Sequence, residues 1–320
     1  MKVSVIGAGA WGTALSIAVA RGGADVVLWS YDCEYKHFDD VEMPSNITVT
    51  PEMEKMRDSD AWLIVTPAAF FRETLRKARE FYMDQPIIIC TKGAESSTGA
   101  FTSEMLRDEL PECKFFGVLS GPQFAAEVAQ GIPTGSTLAG DKAVVNIGKQ
   151  ILNQLYIEPS DDIIGTELCG MGKNAVALIC GYNSVACRGE NDRAMLFTRA
   201  WNEVVDLGIA SGAKTRTFLQ LCGIGDLFLS ATSPTSRNYS GGAAIARGLP
   251  PAGTVEGLFA LGGLIARARA LNVPTPVLCE MRDKMGLLEK SRKTQGFLSM
   301  SVEWIIRLFI FNYNGQVFPL

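Results

Sequence analysis

The sequence predicts an α/β half, built as a doubly wound parallel sheet, followed by an all-α half. Three observations carry that prediction. Short apolar runs alternate with helical patterns up to about residue 119. The first of these runs passes directly into three spaced glycines and a small-residue helix. From about residue 165 strand-like runs largely stop and helical patterns take over, which places a domain boundary near residue 164 and gives units of 1–164 and 165–320.

Taken in order, Lys2-Val3-Ser4-Val5-Ile6 reads as a buried strand and Gly7-Ala8-Gly9-Ala10-Trp11-Gly12 as a G-x-G-x-x-G turn opening a helix over 11–21. Gly7 suits the tight turn, Gly9 allows close backbone approach to a pyrophosphate, and Gly12 lets the helix pack on the sheet. The helix start then directs its free amides and positive dipole end at an anion. Residues 25–29 form the next strand, which completes a βαβ unit and gives the glycine pattern the context it needs for dinucleotide binding. Strands at 61–65, 87–90 and 115–119 alternate with helices at 70–82 and 101–109, and near-continuous apolar strands imply a parallel sheet covered on both faces. In the second half the helical patterns lie at 166–185, 191–210, 215–222, 255–270 and 275–288.

A chain of 320 residues with 47% hydrophobic content can bury cores in both halves. The net charge of -4 argues against nucleic acid or an anionic membrane as partner. The eight cysteines include no C-x-x-C pair, so neither a disulfide framework nor a metal site is expected. The apolar run 304–311 is too short to span a bilayer, which needs about 20 residues. With a strand beginning at residue 2, no leader is expected ahead of the fold and the cytoplasm is the expected compartment. His37, the single histidine, sits in a polar run and reads as a solvated loop residue. Any acid-base chemistry therefore falls to lysine or carboxylate.

Ligands of doubly wound sheets sit beyond the carboxyl ends of the strands. The segments there are Gly7 to Gly12, Thr66-Pro67-Ala68, Thr91-Lys92-Gly93 and Ser120-Gly121-Pro122-Gln123-Phe124. Lys92 could balance a phosphate, bond a substrate oxygen or simply be a solvated loop lysine; Gly121 could make a plain turn or a close approach to ligand. Lys173 lies on an apolar helix whose same-face neighbours, Cys169, Gly170, Val176, Ala177 and Cys180, carry no charge. Desolvation there lowers a lysine pKa toward the range of proton transfer, unless the side chain snorkels out. Asp226 reads as a helix cap or turn residue that could orient Lys173. Ser236-Arg237-Asn238 offers a forked cation between two short polar donors, suited to a phosphate monoester. Thr198-Arg199 with Glu203 reads as a surface i,i+4 pair.

Together these stretches resemble the NAD(P)-dependent glycerol-3-phosphate dehydrogenases of the bacterial type. The likeness covers about residues 3–277 and includes Thr91-Lys92-Gly93, Ser120-Gly121-Pro122, Lys173-Asn174, Thr198-Arg199, Gly223-Ile224-Gly225-Asp226-Leu227, Ser236-Arg237-Asn238 and Val255-Glu256-Gly257. The resemblance implies a Rossmann domain followed by a helical domain, with reversible hydride transfer between NAD(P)H and dihydroxyacetone phosphate to make sn-glycerol 3-phosphate for phospholipid synthesis. It implies Lys173 as proton donor with Asp226 beside it, and Lys92, Gly121, Gln123, Lys173, Asp226, Ser236, Arg237 and Asn238 at the substrate. Gly7, Gly9, Ala10, Trp11, Gly12, Tyr31, Lys92, Ala125, Arg237 and Glu256 match positions at the cofactor, and a homodimer is implied. Gln123 stands where the family usually has a small hydroxyl residue, the segment between Asp32 and Asp60 is short, and the pattern fades after Glu280.

The second strand ends in Trp29-Ser30-Tyr31-Asp32, with neither an acid nor an arginine placed to select NAD or NADP; Asp32 could reach the ribose or make a turn. Two rival readings remain at this level. One is a related β-hydroxyacid or sugar-nucleotide dehydrogenase with Cys222 as nucleophile. The other is a dinucleotide-sensing module without turnover.

Overall fold

The computed structural model describes residues 1–95, 98–187, 189–253 and 255–286. Its first half runs β1 (Lys2–Ile6), α1 (Ala10–Arg21), β2 (Asp25–Trp29), β3 (Ile47–Thr50), β4 (Ala61–Ile64), α2 (Ala68–Ala78), β5 (Ile87–Ile89), α3 (Thr102–Glu109), β6 (Phe116–Ser120), α4 (Ala125–Gln130), β7 (Gly135–Gly140), α5 (Lys142–Ile151) and β8 (Tyr156–Ser160). The eight strands form one sheet in the order β3-β2-β1-β4-β5-β6-β7-β8. Apolar side chains bury both faces, with Val3, Leu15, Leu28 and Leu63 in one core and Ile6, Trp62, Ile64 and Phe71 in the other.

Chain order reverses between β1 and β4, so the crevice that doubly wound sheets open for ligands lies at their carboxyl ends. The sheet is not wholly parallel, as its strand pattern suggested. β7 runs antiparallel to β6, pairing Leu119 with Leu138, because the short α4 hairpin returns the chain at once, too soon for a full crossover.

The second half is α6 (Ile163–Ala186), α7 (Glu190–Ala210), α8 (Asp226–Thr232), α9 (Arg237–Ala246), α10 (Glu256–Ala270) and α11 (Pro276–Lys284). α6 is its axis, with Leu168, Met171, Ala175, Val176, Leu178 and Ile179 at or near zero exposure. Among the described residues it is the one helix long and apolar enough to cross a membrane, and here it is the buried core of a bundle. α9 lies almost backbone to backbone against it. A Cβ on Gly242 would stand 2.0 Å from the Leu178 carbonyl oxygen and one on Gly181 1.8 Å from that of Tyr239.

The helix expected at 275–288 is described as far as α11 and Met285, and the apolar run 304–311 lies outside the described residues. The 215–222 pattern resolves into a 3-10 turn, Thr215–Leu219, and a tight turn over Leu221–Gly225 that delivers Asp226 to the first position of α8. Ser236-Arg237-Asn238 opens a helix that the sequence reading did not include: the Ser236 hydroxyl accepts from the Tyr239 amide and caps α9.

Candidate active site

At the mouth of the crevice the chain leaves β1 through Gly7, whose φ of +115° is a glycine conformation. A Cβ on Gly12 would lie 1.8 Å from the Gly7 carbonyl oxygen, so the first turn of α1 can fold back onto the strand end only with glycine there. Gly9 caps α1 without a side chain, no acid follows in the first turn, and a Cβ on Gly9 would meet nothing within 4 Å. Uncapped amides, the positive helix end and open space together fit a pyrophosphate group. Ala10 and Trp11 form the same turn; Trp11 is half-buried, and its indole Nε1 has no partner among the described residues. Tyr31, 75% exposed, stands past the end of β2, and Ala125 begins α4. Asp32 accepts bonds from the Ser30 hydroxyl and the Glu34 amide, so of its two readings the structure supplies the turn.

Past the ends of β5 and β6 the two halves meet in a compact ion cluster. Asp226, 1% exposed, receives Lys173 Nζ at 3.0 Å on Oδ1 and Lys92 Nζ at 2.6 Å on Oδ2. Lys173 also donates to the Ser230 hydroxyl at 2.9 Å, which in turn donates to Asp226 Oδ1 at 3.3 Å. Lys92 donates to the Gly121 carbonyl at 3.3 Å. Removal from water disfavours the Lys173 ammonium and is the largest influence on it; with repulsion from Lys92 it outweighs attraction to Asp226, so the pKa falls below the ordinary lysine value. Burial alone would raise Asp226, yet the two ammonium groups overcome it and hold the carboxyl below the usual range. Lys173 does not snorkel to solvent, and the carboxylate that orients it comes from the segment where the sequence offered a cap or a turn.

Beside this cluster Asn174 Nδ2 donates to Glu256 at 3.1 Å, Asn238 Nδ2 donates to Asn174 Oδ1 at 2.7 Å, and the Gly257 amide donates to Asn238 Oδ1 at 2.8 Å. α6, α9 and the start of α10 are thus tied together next to Lys173. Ser236 and Asn238 are buried, whereas Arg237 between them is exposed and has no ion pair among the described residues. Gln123, between β6 and α4, is half-buried and donates to the Ser136 hydroxyl on β7.

Two residues that matter to this architecture, Ser230 and Glu167, escaped the sequence reading, and a third, Glu203, was given another role. Ser230, which no motif marked, bridges Lys173 and Asp226 one turn into α8. Glu203, 8% exposed, is no surface partner of Arg199: it accepts from the Val277 and Leu278 amides and caps α11. The Thr275-Pro276 step was the available signal for that helix start. Glu167, 5% exposed, accepts from the Thr102 hydroxyl and from the Ser103 amide and hydroxyl at 2.6 to 2.8 Å, anchoring α3 to α6. Cys222 is fully buried with its Sγ on the Thr217 carbonyl, out of reach of the nucleophile role in the rival reading.

A dinucleotide-type sheet whose ligand edge is closed by a lysine-bearing helical bundle defines a two-part oxidoreductase of the Rossmann class. The model of the NAD-dependent glycerol-3-phosphate dehydrogenase N-terminus matches residues 2–145 and that of the C-terminus residues 162–284. The chain belongs to the NAD-dependent glycerol-3-phosphate dehydrogenase family. Among its relatives, glycerol-3-phosphate dehydrogenase [NAD(P)+] of Parvibaculum lavamentivorans is 37% identical over 298 residues, covering 86% of this chain and 89% of the relative. The enzyme of the same description from Paramagnetospirillum magneticum is 38% identical over 268 residues, 78% of this chain and 96% of the relative. The crystal structure of glycerol-3-phosphate dehydrogenase from Coxiella burnetii superposes with a TM-score of 0.81 at 28% identity, covering 89% of this chain and 94% of that one.

Proposed function

We propose that the protein reduces dihydroxyacetone phosphate to sn-glycerol 3-phosphate with NADH or NADPH, reversibly, in the service of glycerophospholipid synthesis. The observation that carries this reading is the cluster of Lys173, Asp226 and Lys92 at the ligand edge of the sheet. Residues 1–164 would carry the cofactor, on Gly7, Gly9, Ala10, Trp11, Gly12, Tyr31 and Ala125, and residues 165–320 the chemistry. When bound, the reduced nicotinamide supplies a hydride to the ketone carbon. Charge then grows on the ketone oxygen, and Lys173, a poorly hydrated ammonium, gives its proton there, leaving an alcohol and a neutral amine. Asp226 keeps Lys173 and Lys92 converged on one point, so both can meet the substrate oxygens.

Arg237, flanked by Ser236 and Asn238 at the start of α9, would grip the substrate phosphate through its planar fork. Arg237 and Glu256, together with Lys92, also lie where the cofactor would complete the site, and Gly121 and Gln123 would border the substrate. Following the loss of reduced-nicotinamide absorbance with dihydroxyacetone phosphate, beside unphosphorylated dihydroxyacetone, tests the assignment. Turnover is expected to depend strongly on the phosphate, and Arg237→Ala to raise KM far more than it lowers kcat. Equal use of the two ketones would defeat it.

The reading also places the enzyme in the cytoplasm as a homodimer. Support for self-association comes from exposed Leu219, Ile224 and Phe228, which crowd the turn before α8 and its first turns, an apolar face a second copy could cover. Light scattering that gives one chain's mass at micromolar concentration would rule the dimer out.

A further inference from the structure

Buried polar side-chain atoms are nearly always hydrogen-bonded, so the exceptions are informative. Among the described residues six have no partner: Trp11 Nε1, Thr66 Oγ1, Gln85 Nε2, Ser120 Oγ, Gln123 Oε1 and Asn183 Nδ2. Four of them, on Trp11, Thr66, Ser120 and Gln123, lie at or just past the carboxyl ends of β1, β4 and β6, at the ligand edge of the sheet. Trp11, Ser120 and Gln123 flank or belong to motifs already given a place in the site. Thr66 has none.

Thr66 is 6% exposed and sits two residues past the end of β4, beside Gly7. A Cβ on Gly7 would stand 3.1 Å from the Thr66 amide nitrogen and 3.2 Å from its Cγ2 methyl, so this side chain forms the wall opposite the glycine turn. Its backbone is fixed, since the Thr91 hydroxyl donates to the Thr66 carbonyl at 2.7 Å. The position lies between β1 and β4, where chain order reverses and a dinucleotide crosses the sheet edge. Valine would fill the same space without a desolvated hydroxyl, so threonine there costs stability in the free protein unless something else uses the group. A turn about χ1, for which threonine has more than one accessible rotamer, exchanges methyl and hydroxyl and brings the donor to the crevice.

We infer that the Thr66 hydroxyl is a cofactor-binding donor, which hydrogen-bonds a phosphate or ribose oxygen of the dinucleotide lying across Gly7. The inference rests on the dinucleotide reading and adds to it a contact that no glycine motif announces.

The experiment is equilibrium titration of the full chain with NADH and with ADP-ribose, which keeps the phosphates and riboses but lacks nicotinamide, followed by fluorescence or calorimetry. Wild type, Thr66→Val and Thr66→Ser are compared, along with the thermal midpoint of each without ligand. Thr66→Val should weaken both ligands by about five- to fifteen-fold, the worth of one hydrogen bond, while Thr66→Ser stays near wild type. The ligand-free midpoint of Thr66→Val should equal or exceed that of wild type, because an unpaired buried hydroxyl has been removed. Unchanged affinity in Thr66→Val, weakening of NADH alone, or a lower ligand-free midpoint would each overturn the inference. Failure of the wild type itself to bind NADH or NADPH would instead strike at the function proposed above, and at this contact with it.

Discussion

Two buried carboxylates, both held by α6, have nearly the same access to water and opposite chemistry. Glu167 lies where α6 meets α3 and is surrounded by neutral donors, the hydroxyls of Thr102 and Ser103 and the Ser103 amide. Burial dominates there and pushes its pKa up, in spite of those three bonds. Asp226, across the bundle, faces the Lys173 and Lys92 ammonium groups, and its carboxyl is driven down against the same desolvation. Burial therefore does not decide what a buried acid does; the charge of its neighbours does. Neutral donors make a structural anchor that tolerates protonation, whereas two cations make a centre that must stay ionised.

The sharpest way to break this comparison is to make the same isosteric change, acid to amide, at both places. Asp226→Asn should have the larger effect. The amide cannot balance two ammonium groups, so Lys173 loses the neighbour that raises its pKa most, keeps only the weaker attraction of Glu256, and keeps Lys92, which lowers it. On the mechanism proposed above, ketone reduction needs the protonated form of Lys173, and activity should fall as pH rises through the Lys173 pKa. In Asp226→Asn that alkaline fall should move to lower pH than in wild type. At neutral pH kcat should drop by about 10²- to 10³-fold, within the range general acid catalysis supplies, and Lys173→Ala sets the lower limit. Rate profiles against pH for the three proteins check this, and an alkaline limb that stays in place would mean Lys173 is not the titrating donor.

How far the sequence showed this difference follows from distance along the chain. The β1-α1-β2 unit was legible because apolar runs and glycine spacing are local, and Lys173 was legible because its helical neighbours are all uncharged. The Lys92 partner of Asp226 lies 134 residues away in sequence, so no local pattern could distinguish an ion centre from a helix cap. The three bonds of Glu167 cross 64 or 65 residues and left no trace at all. Strand β7, Gly-Ser-Thr-Leu-Ala-Gly, and β8, Tyr-Ile-Glu-Pro-Ser, were missed because small and polar residues dilute the apolar run that marks a buried strand. They form the sheet's far side, where packing on α5 supplies what strand propensity does not.

Glu167→Gln sharpens the comparison from the other side, and its effect should be small. A glutamine oxygen can still accept from the Ser103 amide and one hydroxyl, while its nitrogen donates to the second hydroxyl, so the anchor survives and kcat should stay within about twofold of wild type. The remaining difference is one of linkage. A folded-state pKa raised above the unfolded value contributes stability that is fully present below the unfolded value, 4.5 for this group, and is lost as pH rises through the folded value. Wild type should therefore hold its greatest advantage over Glu167→Gln in acid, and the gap should shrink or reverse as pH rises, because the amide pays no ionisation penalty. Urea unfolding of both proteins between acid and neutral pH measures that gap. A gap that widens with pH would mean that Glu167 is held ionised by a cation, which would place it with Asp226 and erase the contrast between the two sites.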